Sequence, residues 1–281
     1  RPTTFHVQPS ASAYLDAMAR VYREGRAPQR WYVVYPEGAE GEALISAASA
    51  ASAAAGAELG GSAAVQAARP VYFDLLDAAA QARADVVAVL LDAADQVALM
   101  GQAEDAGYAM RLAPFPDPLT QTRDFLAATN RYGAGTKVAR IQLWEPTLAS
   151  ASAADLNARF SARWGQPFDA PAWATFEGVS VLAQAARLAG SAAPADLLSA
   201  LTAVDAGSVG GKEGDVAFRA GDHELRQPLY VVNVNENAAW GTLLSLRLAA
   251  GRLAGTLPDV AEPTAAPLGE LGASWRPRCQ P

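Results

Sequence analysis

Between residues 10 and 143 the chain alternates between two kinds of apolar segment. Short runs rich in Val, Leu, Trp and Tyr, such as WYVVY at 31–35 and DVVAVLL at 85–91, are separated by Ala-rich stretches with helical spacing. A chain built this way forms strand–helix units, which lie side by side as a parallel sheet with helices on its faces. The pattern predicts a helix from Ser10 to Glu24 with Tyr14, Met18 and Val21 on one face, capped by Ser10 or Ser12. It then predicts a strand at 31–35, a helix from Glu42 to Ala55 closed by Gly56, a strand near 58–66 and a helix from Phe73 to Arg83. The strand 85–91, a helix opening at Asp92-Ala93-Ala94-Asp95 and stopping at Gly107, a strand from Tyr108 to Ala113, a helix near 119–130 and a strand at 137–144 complete the set. Five strands with interleaved helices are enough for one complete α/β lobe over residues 7–143.

After Trp144 the pattern changes. Ala153–Trp164, Ala172–Ala189 and Ala195–Val204 read as three successive helices, and strands return at 215–219, 229–235 and 241–247. Helices with no strands of their own must cover a surface supplied from elsewhere. From Ala249 the chain is rich in Pro and Gly and reads as an extended strap.

The charge excludes one class of partner. A formal net charge of -7, with Lys137 and Lys212 as the only lysines, argues against a nucleic-acid binder, which needs clustered basic surface. No uninterrupted apolar run reaches the length of a membrane span. The first residue is Arg1, with no charged-then-apolar leader, as expected of a processed chain or a fragment. Cys279 is the single cysteine.

Motifs for covalent chemistry are not found. There is no GxSxG elbow, no CxxC or HxxxH spacing and no GxGxxG after a strand. The two histidines sit in unpromising places: His6 lies in a short apolar stretch and reads as structural, and His223 reads as solvated in the charged turn Asp222–Gln227. GGKEGD at 210–215 lacks the phosphate-loop order and reads as a turn. The acidic pairs Asp92/Asp95 and Glu37/Glu40 stand at helix starts, where carboxylates favour the dipole without catalysis. The sequence therefore offers no positive sign of an enzyme, of a cofactor or of a metal site.

Several stretches together resemble the type I periplasmic binding proteins, the fold of the Leu/Ile/Val-binding proteins of ABC importers. They are FHVQPSASAYLDAMARVYREGRAPQRWYVVYPEGAEG, ADVVAVLLDAADQVALMGQAEDAGY and LNARFSARWGQPFDAPAWATFEGVSVLAQAARLAGS. A narrower likeness, carried by WATFEGV, FRAGDHELRQPLYVV and LGELGASWRPRC, is to a subgroup associated with PQQ-dependent alcohol dehydrogenase systems. The resemblance implies a doubly wound α/β fold in two lobes joined by three crossovers, with the first βα units of the N-terminal lobe missing. By analogy the crossings fall near 6–10, 143–147 and 214–228; residues 144–228 then belong to the other lobe, and 229–281 hold the returning strands and the strap. The subgroup also implies a disulfide partner for Cys279 upstream of Arg1.

The function so implied is that of a periplasmic solute-binding component of an ABC importer, with a membrane permease as partner and no covalent chemistry. A small polar or carboxylate-bearing ligand, PQQ or an alcohol-related compound, would lie at the carboxyl ends of the parallel strands. The residues expected there are Glu37, Asp92 and Phe115 from strand loops, His6, Gln8 and Ser10 from the first crossing, and Trp144 from the second. A tricarboxylate would require Arg219 and Arg226 of the third crossing. Glu40 stands where the amino-acid branch of the family uses a tyrosine, which argues against a free α-amino acid. The rival reading is a ligand-sensing regulatory domain of the same fold.

Overall fold

A computed structural model describes residues 3–23, 29–129, 140–146, 148, 150–204, 206, 210–212 and 216–232. Helix α1 (Ala11–Arg23) leads into β1 (Arg30–Pro36), α2 (Ala39–Ala54), β2 (Glu58–Val65), α3 (Phe73–Gln81), β3 (Val86–Val89), α4 (Ala93–Asp105), β4 (Arg111–Pro114) and α5 (Arg123–Thr129). The four strands form one parallel sheet in the order β2-β1-β3-β4. Alternating side chains along β1 and β3 explain the two faces. Trp31, Val33, Val86 and Ala88 pack with α1 and α2, whereas Tyr32, Val34, Val87 and Val89 pack with α3 and α4. Between Trp31 and Tyr32 the β1–β2 register shifts by one residue at Gly60, where an added Cβ would run into the Arg30 side chain.

The strand expected at 137–144 is β5 (Arg140–Gln142) among the described residues, and it pairs antiparallel with β8 (Tyr230–Val232) instead of extending the parallel sheet. β4 is a poor neighbour for a fifth strand, being four residues long and ending in Pro114, which has no N–H to donate. The three expected helices are α6 (Ala151–Trp164), α7 (Ala170–Ala189) and α8 (Pro194–Leu201). Ser150 and Asp169 cap the first two by accepting from Ala153 N and Ala172 N, and Gly165 and Gly190 close them in the left-handed region.

Helix α7 joins two cores. Its first turns contribute Ala170, Trp173 and Ala174 to the core that also holds α1, β5 and Trp144. Its second half packs Val181 and Ala185 against Leu201, Val204 and the hairpin of β6 (Ala217–Phe218) and β7 (Leu225–Arg226), with Phe5 and Val7 inserted beside them. This hairpin and the N-terminal segment are the partners that the sequence left unnamed for these helices. Along α7 the side chains of Val179, Leu182 and Leu188 are exposed. The expected strand 241–247, the strap and Cys279 with its proposed disulfide lie outside the described residues.

Candidate functional site

Because β1, β3 and β4 run parallel, their carboxyl ends share one edge. Leu90 N donates to Val34 O at 2.8 Å and Phe115 N to Val89 O at 3.0 Å, which sets the turns after the three strands in a row. Glu37 and Asp92 lie exposed on this rim, and Phe115 is half-buried. Asp92 caps α4 by accepting from Asp95 N at 2.9 Å. Asp117 accepts from the backbone N–H of Leu119 and Thr120; burial raises its carboxyl pKa, those two bonds lower it, and Asp92 nearby adds to the rise.

Two buried amides hold the rim in shape. Gln96 Nε2 donates to Leu91 O at 2.8 Å and Phe115 O at 3.0 Å, tying the β3 turn to the β4 turn. Gln121 Nε2 donates to Pro116 O at 3.0 Å and to the Tyr14 hydroxyl at 3.1 Å, while its Oε1 accepts from Leu143 N at 2.6 Å. One side chain thereby joins the β4 turn, α1 and the segment entering Trp144. Tyr14, buried and packed edge-on to Phe115 with ring centroids 6.1 Å apart, has its phenol pKa raised by burial.

Three chain segments away from the sheet converge on the same neighbourhood. In the first, Ser10 caps α1 by accepting from Ala13 N, and donates its own N–H to Glu224 Oε1 at 3.0 Å. In the third, Glu224 Oε2 receives Arg219 Nη2 at 2.7 Å, and Arg219 Nε also donates to Asp222 Oδ1 at 2.9 Å. The polar turn 222–227 is thus tied to Ser10 through Glu224, whose other oxygen is held by Arg219. Gln227 Nε2 donates to Val7 O, a second link between the segments. In the second, Trp144 is 1% exposed, stacked on Trp173 at 5.7 Å and 8°. Beside it the fully buried carboxylate of Glu145 receives Arg123 Nη2 at 3.1 and 3.2 Å.

The nine residues expected at the site separate into groups. Glu37, Asp92 and Phe115 share the rim, and Ser10 joins them through Tyr14 and Glu224. His6 is exposed, contributing backbone bonds to His223 and Leu225, and Gln8 is half-buried next to it. Trp144 belongs to the core, and Arg219 is committed to two carboxylates. Arg226 lies in β7, opposite Ala217. His223, expected to be solvated, adopts φ 58° and stacks on Phe5 with centroids 4.3 Å apart. Sequence reading missed Gln96, Gln121, Glu145, Glu224, Lys212 and Glu177. Lys212 carried a signal, as one of two lysines and set among glycines, and Glu224 as a member of the charged turn Asp222–Gln227.

The rim presents carboxylates and an aromatic edge to solvent over an ordered set of hydrogen bonds, which suits reversible binding of a small polar molecule. Among the described residues no group of three or more His, Cys, Asp or Glu side chains is placed to hold a metal. No helix among them is long and apolar enough to cross a membrane.

The sequence profile of the family described as "Periplasmic binding protein" matches residues 1–239. No curated protein matches the chain. Among solved structures it is similar to a branched-chain amino acid ABC transporter periplasmic ligand-binding protein from Burkholderia xenovorans, with 17% identity, TM-score 0.70, and coverage of 89% of this chain and 64% of that one. An amino acid ABC transporter substrate-binding protein from Pseudomonas fluorescens gives 20% identity, TM-score 0.71, and coverage of 93% and 69%. A solute-binding protein from R. palustris, solved in complex with benzoate, gives 19% identity, TM-score 0.62, and coverage of 80% and 59%. The chain thus spans less than two thirds of the first and third of these.

Proposed function

The chain belongs to the periplasmic binding protein family, and on that premise we propose that it is the periplasmic solute-binding component of an ABC importer, which delivers a small polar ligand to a membrane permease without covalent chemistry. The observation that carries this reading is the convergence of the β1, β3 and β4 turns with the Ser10 and Glu224 segments at one sheet edge. Glu37 and Asp92 would receive hydrogen bonds from the ligand, with Phe115 supplying apolar contact. The amides of Gln96 and Gln121 keep these turns ordered before binding, which lowers the entropy cost of association.

The finer proposal of PQQ or an alcohol-related compound rests on the subgroup likeness. For a tricarboxylate the rim needs a cation beyond Arg219, which is already paired with both Asp222 and Glu224. Native mass spectrometry of the purified protein, followed by calorimetry with PQQ, short-chain alcohols and their acids, benzoate and branched-chain amino acids, tests the reading. The expected result is saturable binding of one of these or of a co-purified small molecule, weakened at least tenfold in E37Q/D92N. Saturable binding that is indifferent to the double variant overturns the site, and no saturable binding at all overturns the function.

A further inference from the structure

Lys212 is 4% exposed and Glu177 is fully buried. Burying either charge is costly unless it is paired. Lys212 Nζ donates to Gln227 Oε1 at 2.8 Å and Pro228 O at 3.0 Å and sits 4.1 Å from the centroid of the Trp173 ring, a cation–π distance. The ammonium therefore fastens the third crossing to α7. Gln227 passes the link on, because its amide nitrogen donates to Val7 O in the first crossing. The second crossing joins through Trp144, stacked on the same Trp173. Glu177 lies one turn along α7 from Trp173, its carboxyl against the Cα of Gly210, and neither oxygen has a hydrogen-bond partner.

We propose that Lys212 is the positioning residue of the hinge, holding the three crossing segments on α7, and that Glu177 balances its charge so that the hinge is indifferent to pH near neutrality. The inference rests on reading these segments as lobe crossings. The named charge acting on each group is the other. Among the described residues the groups against Nζ are otherwise neutral, namely Trp173, Gln227 and Pro228, with the Tyr230 ring 5.4 Å away.

The linkage follows from the two shifts. Burial raises the Glu177 carboxyl to about 7, opposed by Lys212, so closing the hinge over Glu177 takes up a proton. That contribution is fully present below the ordinary carboxylate range and is lost as pH rises through 7. Burial holds Lys212 well below its ordinary value, opposed by Glu177, so closing over Lys212 releases a proton, and this contribution grows as pH rises. The two dependences have opposite sign, so with both groups present each offsets the other around neutrality.

Amide hydrogen exchange by mass spectrometry, corrected for intrinsic rates, reads this in the whole protein without any ligand. Peptides covering residues 5–10 and 224–231 are compared with the β3 strand as reference. Wild type is expected to hold its protection within about threefold from pH 6 to pH 8. K212M is expected to lose about tenfold in these peptides, with protection falling as pH rises. E177Q is expected to show the opposite slope, with protection rising. A pair that only stabilised the whole fold would change the slope of the β3 reference as much as that of the crossing peptides, and that result overturns the proposal. Should K212M not fold, E177Q decides alone: a flat profile in that variant overturns the proposal, as do slopes of equal sign in the two variants. Because no ligand enters the experiment, its failure is distinct from failure of the solute-binding reading.

Discussion

Replacing Glu224 with Gln removes a charge that ties two segments 214 residues apart in sequence. Glu224 is 7% exposed; Oε1 accepts from Ser10 N–H at 3.0 Å and Oε2 from Arg219 at 2.7 Å. A glutamine keeps the shape but offers one oxygen for two donors, and its NH2 must face the other donor. One buried donor is left unsatisfied, at about 1–3 kcal/mol, and a charge-assisted bond becomes a neutral one, at about 1 kcal/mol more. Arg219 retains Asp222, which limits the loss. The sum is about 2–4 kcal/mol. With a urea slope of about 3 kcal/mol/M for a chain of this size, the unfolding midpoint falls by about 1 M. The control is D155N, which breaks the Arg159–Asp155 pair whose side chains are 66% and 67% exposed, and which is expected to shift stability by less than about 0.5 kcal/mol. If E224Q moves the midpoint no further than D155N does, Glu224 is not the fastening described above.

Two further variants probe the interior. G210A places a Cβ against the Glu177 carboxyl and 3.0 Å from the Trp173 ring, and is expected to cost about 1–3 kcal/mol by overpacking; E177A in the same chain should recover part of it, and simple additivity of the two losses in urea unfolding would contradict the contact. Asp16 has its carboxyl raised to about 6 by burial, opposed by Arg20. Its contribution to stability is present below about pH 4 and lost as pH rises through 6. D16N should therefore gain in melting temperature over wild type at pH 7 relative to pH 4.5, and a difference that stays constant with pH would count against this account.

Much of the architecture could be read from the sequence because it depends on local periodicity. The strand at WYVVY, the helix stop at Gly107 and the α1 cap at Ser10 each follow from residues within one turn of one another, and the structure places them within a residue or two. Helix α2 begins at Ala39, three residues before the expected Glu42, because Gly38 adopts φ 98° and turns the chain into the helix early. The fifth strand's partner was not legible, since β5 and β8 are joined by contacts that leave no local pattern. The same holds for the site. Asp92 announced itself as a helix cap, whereas Gln96, Gln121 and Glu224 matter through partners 19 to 214 residues away. Lys212 looked like a turn residue because glycines flank it, yet those glycines let the backbone come close enough to bury it.

The parallel indoles of Trp144 and Trp173 have a spectroscopic consequence. Two chromophores 5.7 Å apart and within 8° of parallel couple their transition dipoles, and Lys212 rests on the face of one of them. Their near-ultraviolet circular dichroism and their emission will register any change in how the Trp144 segment sits on α7. The protein thus carries its own optical gauge of that junction, with no label attached.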